Sequence, residues 1–305
     1  MCGLFGFSSY GGKSPTVTGL TNALAEHSAV RGTDATGIAY MRNSNIQIQK
    51  EAKSAYALNF KVPDHTFALI GHTRHATHGS EQIPRNNHPF FGKAGHTRFA
   101  LAHNGVLYGV DKTRFTHKLP KTKIETDSYL AVQLIENQKK FSPDSVRYMA
   151  ETVRGSFSFS ILDDRNTIWL IKGDSPLSIL HFPEKKIYVY ASTDEILYKS
   201  CIDSFLFDEL RKSRFEEVKI RAGDIMQIRS DGTIHTDSFI FREAARHAWW
   251  EYGVYRDPVI ADADEMYLDA LRTTALWQGV DPEVIDELYA SGFTLEEIED
   301  AVYEI

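Results

Sequence analysis

Short apolar runs of strand length recur through most of the chain, and they constrain its fold more than any other feature. They lie at 2–10, 36–50, 66–72, 101–104, 156–163, 167–172, 177–182, 186–191 and 224–228. Turn residues separate these runs, and apolar periodicity at 18–30, 128–139, 144–153 and 203–212 favours helices. Many strands with few helices predict an α+β fold in which stacked sheets are covered by helices.

The character of the chain changes near residue 240. Residues 241–305 contain sixteen acidic and four basic residues, although the net charge of the whole chain is only −7. Only helical patterns follow Trp249-Trp250, whereas strand patterns dominate before it. We therefore predict two domains, at 2–240 and 241–305, of which the second is a small, acidic, all-helical appendage.

Two helices are predicted close to the C-terminus. Asp281-Pro282 begins the first and Ser291-Gly292 ends it. Thr294 and Glu297 have the spacing of a capping box for the second helix. The apolar side chains expected to face inward from this pair are Val284, Ile285, Leu288, Phe293, Leu295, Ile298 and Val302.

The composition argues against several classes of protein. Hydrophobic residues make up 42% of the chain, enough for a substantial core. There is no apolar run of membrane-spanning length and no secretory leader pattern. Only Cys2 and Cys201 are cysteines, which fits a reducing compartment, so we expect a cytoplasmic protein. Because the basic residues are scattered, no nucleic-acid partner is expected.

Cys2 is the first candidate for chemistry. If Met1 is removed after synthesis, one residue carries both a thiol and a free amine, and that amine can take the thiol proton. The unperturbed pKa of an α-amine lies about 2–3 units below that of a lysine side chain, so the amine is largely neutral near physiological pH. The alternative is that Cys2 is a small buried hydrophobic residue that begins a strand.

A strand that ends in Arg74 precedes a loop of small residues and histidines. A guanidinium at that point can bind a carboxylate with two parallel hydrogen bonds, although a salt-bridged surface arginine has the same pattern. His72, His75 and His78 suggest a metal site, but residues on a strand-to-loop path do not converge. Neither a metal nor another cofactor is expected.

Two further motifs offer polar groups for a substrate. The side-chain amide of Asn104 and the backbone N–H of Gly105 could both donate to a developing oxyanion, although Asn-Gly is also a common turn. Asp127, just before the helix at 128–139, is either an N-terminal cap or a carboxylate that pairs with an ammonium group. Arg74 and Asp127 facing one pocket would bind the two ends of a free amino acid.

These elements, in this order, resemble the class II glutamine amidotransferases, whose glutaminase domain is an N-terminal-nucleophile (Ntn) hydrolase. The resemblance covers roughly residues 2–230 and is closest to the glucosamine-6-phosphate synthase branch in the loop 71–79. The matching segments are Met1-Cys2-Gly3, 31–37, 71–79, Asn87-His88-Pro89, His103-Asn104-Gly105, Thr126-Asp127-Ser128, Arg154-Gly155-Ser156, 173–177 and 191–195.

The resemblance implies a fold and a set of roles. The fold is a four-layer αββα sandwich of two antiparallel sheets. Cys2 is the nucleophile with its own amine as the base, and Asn104 and Gly105 form the oxyanion hole. The substrate-binding residues implied are Arg74 for the α-carboxylate, Asp127 for the α-amine, Thr77 and His78 in the pocket, and Arg31 close to the nucleophile.

Three departures from the family pattern stand out. His75 replaces the usual aromatic residue after the arginine, and Tyr108-Gly109 stands where a polar residue is common. The third departure is the length, because after residue 240 about 65 residues remain, too few for a synthase domain.

We expect a glutaminase that converts L-glutamine to glutamate and ammonia. The ammonia would pass to a separate synthase or acceptor, and the tail at 241–305 could dock that partner. Two alternatives remain open: an Ntn amidase that acts on another amide, and a catalytically silent regulatory or binding subunit.

Overall fold

Two antiparallel sheets form the centre of the fold in the computed structural model. It describes residues 2–12, 16–76, 79–241, 267–268, 271–272, 274–276 and 280–303. The strands are β1 (Gly3–Ser9), β2 (Ala35–Arg42), β3 (Asn45–Glu51), β4 (Ala68–Arg74), β5 (Phe90–Ala94), β6 (Thr97–Leu107), β7 (Gly155–Asp163), β8 (Ile168–Lys172), β9 (Ser178–Phe182), β10 (Ile187–Ala191), β11 (Glu216–Glu217), β12 (Asp224–Ile228) and β13 (Ile234–Ser238). One sheet has the order β11-β9-β10-β1-β4-β2-β3 and the other β13-β12-β8-β7-β6-β5.

Helices cover the outer face of each sheet. The helices whose bounds the structure describes, including two near the C-terminus that pack in an apolar cluster of their own, are α1 (Thr18–Ser28), α2 (Val110–Thr116), α3 (Tyr129–Asn137), α4 (Pro143–Thr152), α5 (Asp194–Ile202), α6 (Phe207–Arg211), α7 (Glu283–Ala290) and α8 (Leu295–Tyr303). Helices α1 and α5 pack on the seven-stranded sheet, and α3 and α4 pack on the six-stranded sheet. The predicted αββα sandwich is confirmed.

Three apolar cores separate these four layers. The middle core lies between the two sheets and includes Leu4, Ile70, Ala102, Leu170 and Tyr190. All seven residues of β1 are buried because a sheet and a helix layer cover its two faces. This double coverage explains why β1 has small and apolar residues on both faces, and it fixes the position of Cys2 just before the strand.

One strand prediction needs correction. The run at 101–104 does not stop at Gly105, because β6 continues to Leu107 and Gly105 pairs with Phe157 of β7. Gly105 has a φ of 128°, and a Cβ there would lie 2.0 Å from the carbonyl oxygen of Ser156. The glycine therefore allows the two backbones to approach closely, and it does not end the strand.

Two further segments are more regular than predicted. The run at 36–50 is a hairpin, since Asn43 and Ser44 both have positive φ and form the turn between β2 and β3. The residues Gly, His, Asn and Pro are frequent at 74–95 and favour loops, but this segment contains β5, which pairs with β6 and is covered by α3. An exposed Phe91 and a buried Gly92 hide the alternation of buried and exposed positions along this strand.

The C-terminal helices follow the predicted pattern in part. The capping box is confirmed, because the backbone N–H of Thr294 donates to Glu297 (2.8 Å) and that of Glu297 donates to the Thr294 hydroxyl (3.3 Å). Ile285, Ile298 and Val302 are buried together with Leu268 and Leu271.

Two of the residues expected to face inward are exposed. Val284 is 37% exposed and Phe293 is 47% exposed. Val284 and Ile285 are neighbours in α7 and point in different directions, and it is Ile285 that faces inward. Phe293 follows Gly292, after the end of the helix. Trp249-Trp250 lies outside the described residues, and the domain boundary near residue 240 stays a prediction.

Candidate active site

Cys2 lies at the point where β1 begins, and its sulfur contacts the backbone of the residue after β4. The Cys2 Sγ accepts from the backbone N–H of His75 and can donate to the carbonyl oxygen of His75, both at 3.4 Å. Burial raises the pKa of the Cys2 thiol, while the His75 N–H and the positive charges of the N-terminus and Arg74 oppose that rise. The resting thiol is therefore protonated at neutral pH and needs a base to become a nucleophile.

The guanidinium of Arg31 contacts the backbone of Cys2. Its Nε donates to the carbonyl oxygen of Cys2 at 2.7 Å. Arg31 ends a short 3₁₀ turn (Ala29–Arg31) that follows α1, so the covering helix places it beside the start of β1. This contact fixes the position of Cys2 without engaging its thiol.

Asn104 reaches the same place from the other sheet. It is buried in β6, and its Nδ2 donates to the Ser192 hydroxyl at 3.4 Å. That hydroxyl also accepts from the backbone N–H of Leu4 at 2.8 Å, so Ser192 joins Asn104 to the strand that follows Cys2. The extended Asn104-Gly105 segment in β6 replaces the turn that this dipeptide alone would favour.

Arg74 is the last residue of β4, and only 2% of it is exposed. Its Nη1 donates to Asn87 Oδ1 at 2.6 Å and its Nη2 donates to the carbonyl oxygen of Gly79 at 2.7 Å. Burial lowers the pKa of Arg74, and the neighbouring Cys2 and Asp127 oppose that shift. An arginine remains protonated in any case, so a buried positive charge lies close to Cys2.

Asp127 directs its carboxylate toward β6 and not toward the helix that follows it. Its Oδ2 accepts from the backbone N–H of Leu107 at 2.7 Å, and its Oδ1 accepts from the Ser128 hydroxyl at 3.1 Å. The N-terminal cap of α3 is Ser128, which makes no side-chain capping bond. The charge of Asp127 acts on the pKa values of both Cys2 and Arg74, so the carboxylate lies within electrostatic range of the thiol and of the guanidinium.

The structure thus brings most of the predicted residues together. Four different segments supply Cys2, Arg74, Asn104 and Asp127, and the two sheets meet there through Ser192. Thr77 and His78 lie outside the described residues. The contact residues that carried no predicted role are Asp34, Asn87, Ser128 and Ser192. All four lie in segments that had matched the family pattern, which was the available signal.

Three buried histidines lie in the interior beside this site. The rings of His72 and His88 are 4.0 Å apart, and those of His88 and His103 are 6.5 Å apart. His72 Nε2 donates to the carbonyl oxygen of His103, and His103 Nδ1 contacts the Ser128 hydroxyl, each at 2.8 Å. Burial lowers the pKa of all three, that of His72 to about 3. In the part of the chain that the structure describes, no group of three His, Cys, Asp or Glu side chains is placed to hold a metal.

These histidines predict a loss of stability in acid. A buried imidazole whose pKa is lowered on folding stabilises the fold above its unfolded pKa of about 6.5, and that contribution falls with pH by up to about 1.4 kcal/mol per unit. Neither ring nitrogen of His88 has a hydrogen-bond partner among the described residues. We expect His88→Phe to weaken the acid dependence, as measured by urea unfolding near neutral pH and near pH 5.

The control for this prediction is His96→Gln, in the exposed turn between β5 and β6. It should leave the pH dependence of unfolding unchanged. If His88→Phe also kept the wild-type dependence, the buried imidazole of His88 would not be a source of acid sensitivity.

The arrangement supports nucleophilic attack on an amide. A thiol lies beside a buried guanidinium and a buried carboxylate of opposite charge, and the side-chain amide of Asn104 reaches the same site from the facing sheet. Opposite charges at fixed places bind a zwitterion such as an amino acid, and a side-chain amide can donate to an oxyanion.

No helix among the described residues is long and apolar enough to cross a membrane.

Comparisons with known sequences agree with this chemistry. Residues 1–156, about half of the chain, match the profile of the family described as "Glutamine amidotransferases class-II". A glutamine--fructose-6-phosphate aminotransferase [isomerizing] from Staphylococcus aureus is 34% identical over 190 residues, which cover 58% of this chain and 30% of that protein. Its counterpart from Staphylococcus epidermidis is 33% identical over 190 residues, with coverages of 59% and 30%. The chain therefore matches less than a third of the length of these relatives.

Solved structures support the fold. The glutamine phosphoribosylpyrophosphate amidotransferase from B. subtilis, solved with ADP and GMP, superimposes with a TM-score of 0.62 at 20% identity. The match covers 79% of this chain and 50% of that one. A structure described as the allosteric regulatory enzyme of purine biosynthesis gives the same TM-score at 18% identity. At these identities the likeness concerns the sandwich architecture alone.

Proposed function

Because the chain belongs to the class II glutamine amidotransferases, we propose that it hydrolyses the side-chain amide of L-glutamine through a thioester on Cys2. Members of this family are enzymes with an N-terminal cysteine nucleophile. The observation that carries the proposal is the contact of the Cys2 sulfur with the residue that follows the buried Arg74, with the buried Asp127 within electrostatic range of both. A positive and a negative group at fixed places beside a nucleophile suit a free amino acid with a reactive side chain.

The first half of the reaction forms the thioester. After removal of Met1, the amine of Cys2 takes the thiol proton, and the sulfur attacks the amide carbon of glutamine. The Asn104 side chain and the Gly105 backbone N–H donate to the oxyanion that develops. The amine then gives its proton to the departing nitrogen, the carbon–nitrogen bond breaks and ammonia leaves.

The second half releases glutamate. Water attacks the thioester carbon while the Cys2 amine takes one of its protons, and the same two donors stabilise the second oxyanion. The carbon–sulfur bond then breaks, the sulfur regains a proton, and the site returns to its starting state. Burial, which raises the pKa of the Cys2 thiol, makes the amine base necessary in each cycle.

Substrate recognition follows from the two buried charges. We assign the α-carboxylate to Arg74 and the α-ammonium group to Asp127, with Thr77 and His78 as further pocket residues. Two N–H groups of Arg74 bind Asn87 and Gly79, so the same guanidinium also fixes the segment 79–87 beside it. Arg31 supports Cys2 through its backbone and has a positioning role.

The ammonia is proposed to reach a separate synthase or acceptor. The names of the staphylococcal relatives describe transfer of an amino group from glutamine to fructose 6-phosphate, and this chain matches only 30% of such a protein. The acidic segment 241–305 is the proposed docking site for the partner, since it differs in charge from residues 1–240.

Asp127→Asn tests the substrate assignment. The change keeps an acceptor for the Leu107 N–H, so the fold should persist, but it removes the charge that pairs with the α-ammonium group. We expect the KM for glutamine to rise by about 10- to 100-fold, the range for losing a hydrogen-bonded charge partner. Glutamate release over a range of glutamine concentrations provides the measurement.

Asp164→Asn is the matched control. Asp164 accepts from the backbone N–H of Arg98 at 3.0 Å, at the far end of β6, and its loss should leave KM unchanged. The Ntn amidase alternative predicts a different result, because an amide without a free α-amine would be hydrolysed equally well by the wild type and by Asp127→Asn.

A further inference from the structure

The sulfur of Cys2 contacts the backbone of a segment that lies just beyond the end of β4. Both groups that contact it, the N–H and the carbonyl oxygen of His75, belong to the first residue after β4. Arg74 is the last residue of β4 that pairs with β2, so sheet hydrogen bonds no longer hold the backbone after it. Another part of the protein must therefore position this backbone.

Asp34 makes contacts that hold this segment. Its Oδ2 accepts from the backbone N–H of Ala76 at 2.7 Å, and its own backbone N–H donates to the carbonyl oxygen of Arg74 at 3.0 Å. The same Oδ2 lies 3.5 Å from Nδ1 of His75. Asp34 thus contacts all three residues 74–76. It binds the backbone of Arg74 before His75 and the backbone of Ala76 after it, and it contacts His75 itself through the imidazole.

The loop that carries Asp34 is packed directly on the same backbone. A Cβ on Gly32 would lie 2.4 Å from the carbonyl carbon of Arg74 and 2.6 Å from the nitrogen of His75. Arg31, in the same loop, binds the carbonyl oxygen of Cys2. The loop 31–34 therefore contacts both Cys2 and the segment 74–76, whose backbone contacts the Cys2 sulfur.

We propose that Asp34 is a positioning residue for the nucleophile, which fixes the backbone of residues 74–76 so that the N–H and carbonyl of His75 stay on the Cys2 sulfur. The inference rests on the proposed function, in which Cys2 is the nucleophile. Asp34 itself does not touch the sulfur. It acts through the His75 peptide, whose N–H stabilises the thiolate at the moment of attack.

The charges around His75 indicate which property of Asp34 matters. Burial lowers the pKa of His75, and the positive charges of the N-terminus and of Arg74 act in the same direction, while Asp34 opposes them. The imidazole is therefore mostly neutral near pH 7, so its pairing with Asp34 is not primarily ionic. The acceptor oxygen of Asp34 should matter more than its charge.

This distinction sets the choice of variants. Asp34→Ala removes the acceptor, whereas Asp34→Asn keeps an oxygen that can accept from Ala76. Asp203→Ala is the matched control, because Asp203 pairs with His27 at 2.7 Å on α1, another aspartate–histidine pair outside the residues assigned to catalysis. All three are made in the full chain.

Alkylation of Cys2 by iodoacetamide is the main readout, since it needs no turnover. In Asp34→Ala the rate near pH 7 should fall by about tenfold, the order expected for losing a hydrogen bond to a charged group. The kcat for glutamine should fall by about 10²-fold, as for other misplacements near 1 Å, with little change in KM. Asp34→Asn and Asp203→Ala should keep both rates close to those of the wild type.

Two results would overturn the proposal. One is alkylation of Asp34→Ala at the wild-type rate, and the other is an Asp34→Asn variant as slow as Asp34→Ala. A wild-type chain that released no glutamate would contradict the proposed function instead, and the alkylation rates would still decide the role of Asp34.

Discussion

Cys2→Ala is expected to lower glutamate release from glutamine by on the order of 10⁶-fold, the scale seen when an enzyme loses its attacking group. The thiol makes the only covalent bond to substrate in the proposed reaction. Because Arg74 and Asp127 bind the two ends of glutamine, the variant should still bind substrate. Initial rates of glutamate release, together with calorimetric titration of glutamine, test both parts.

Cys201→Ser serves as the matched control for that result. Cys201 is buried in α5, where burial raises its pKa to about 12, and it carries no role in the reaction. Its replacement should leave turnover unchanged. Wild-type glutaminase activity in Cys2→Ala would contradict the mechanism at its first step.

Asn104→Ala should lower kcat by about 10²–10³-fold, the usual cost of one oxyanion donor. The fold should persist, since the Asn104 side chain makes one long contact, at 3.4 Å to Ser192, and that hydroxyl keeps its bond from Leu4. Because the donor acts on charge that develops only during attack, KM should change much less than kcat.

A matched control variant, in which a different asparagine is replaced by alanine, shows whether the loss of kcat is specific to Asn104. Both variants are compared by steady-state kinetics. Asn137, at the end of α3, also makes one long side-chain contact, at 3.5 Å to the carbonyl oxygen of His117. Asn137→Ala should keep the wild-type kcat. Equal losses in both variants would mean that general destabilisation, and not a missing oxyanion donor, explains the result.

The layered fold could be predicted because its local signals agree with its packing. The strand runs predicted at 186–191 and 224–228 are mostly apolar because sheets or helices cover both of their faces, so the sequence directly reflects their burial. The capping box at Thr294 was predictable for a similar reason, since both of its partners are three residues apart. Local chemistry and tertiary structure point the same way at these places.

Other features depend on contacts between distant segments and had no local signal. Gly105 looked like the end of a strand, and only its close approach to Ser156 explains why β6 continues through it. Asp127 looked like a helix cap, but its carboxylate bonds to Leu107, twenty residues away. Periodicity within one segment cannot report such pairings.

The candidate site shows the same division. That Arg74, Asn104 and Asp127 lie near Cys2 could be predicted from their residue types and from the resemblance to a family, while their roles stay a proposal. The supporting contacts of Asp34 and Ser192 could not, because each joins segments that the sequence does not relate: Asp34 reaches the end of β4, and Ser192 connects two sheets.

The most direct test of the central claim is labelling of the intact chain with an electrophilic glutamine analogue, followed by mass spectrometry. We expect the protein to have lost Met1 and to gain one adduct, located on Cys2, whose formation excess glutamine prevents. A chain that retains Met1 should be labelled more slowly than the processed chain, because the amine that acts as the base is then blocked. Absence of an adduct on the processed chain, or an adduct on Cys201 that glutamine does not prevent, would contradict the account.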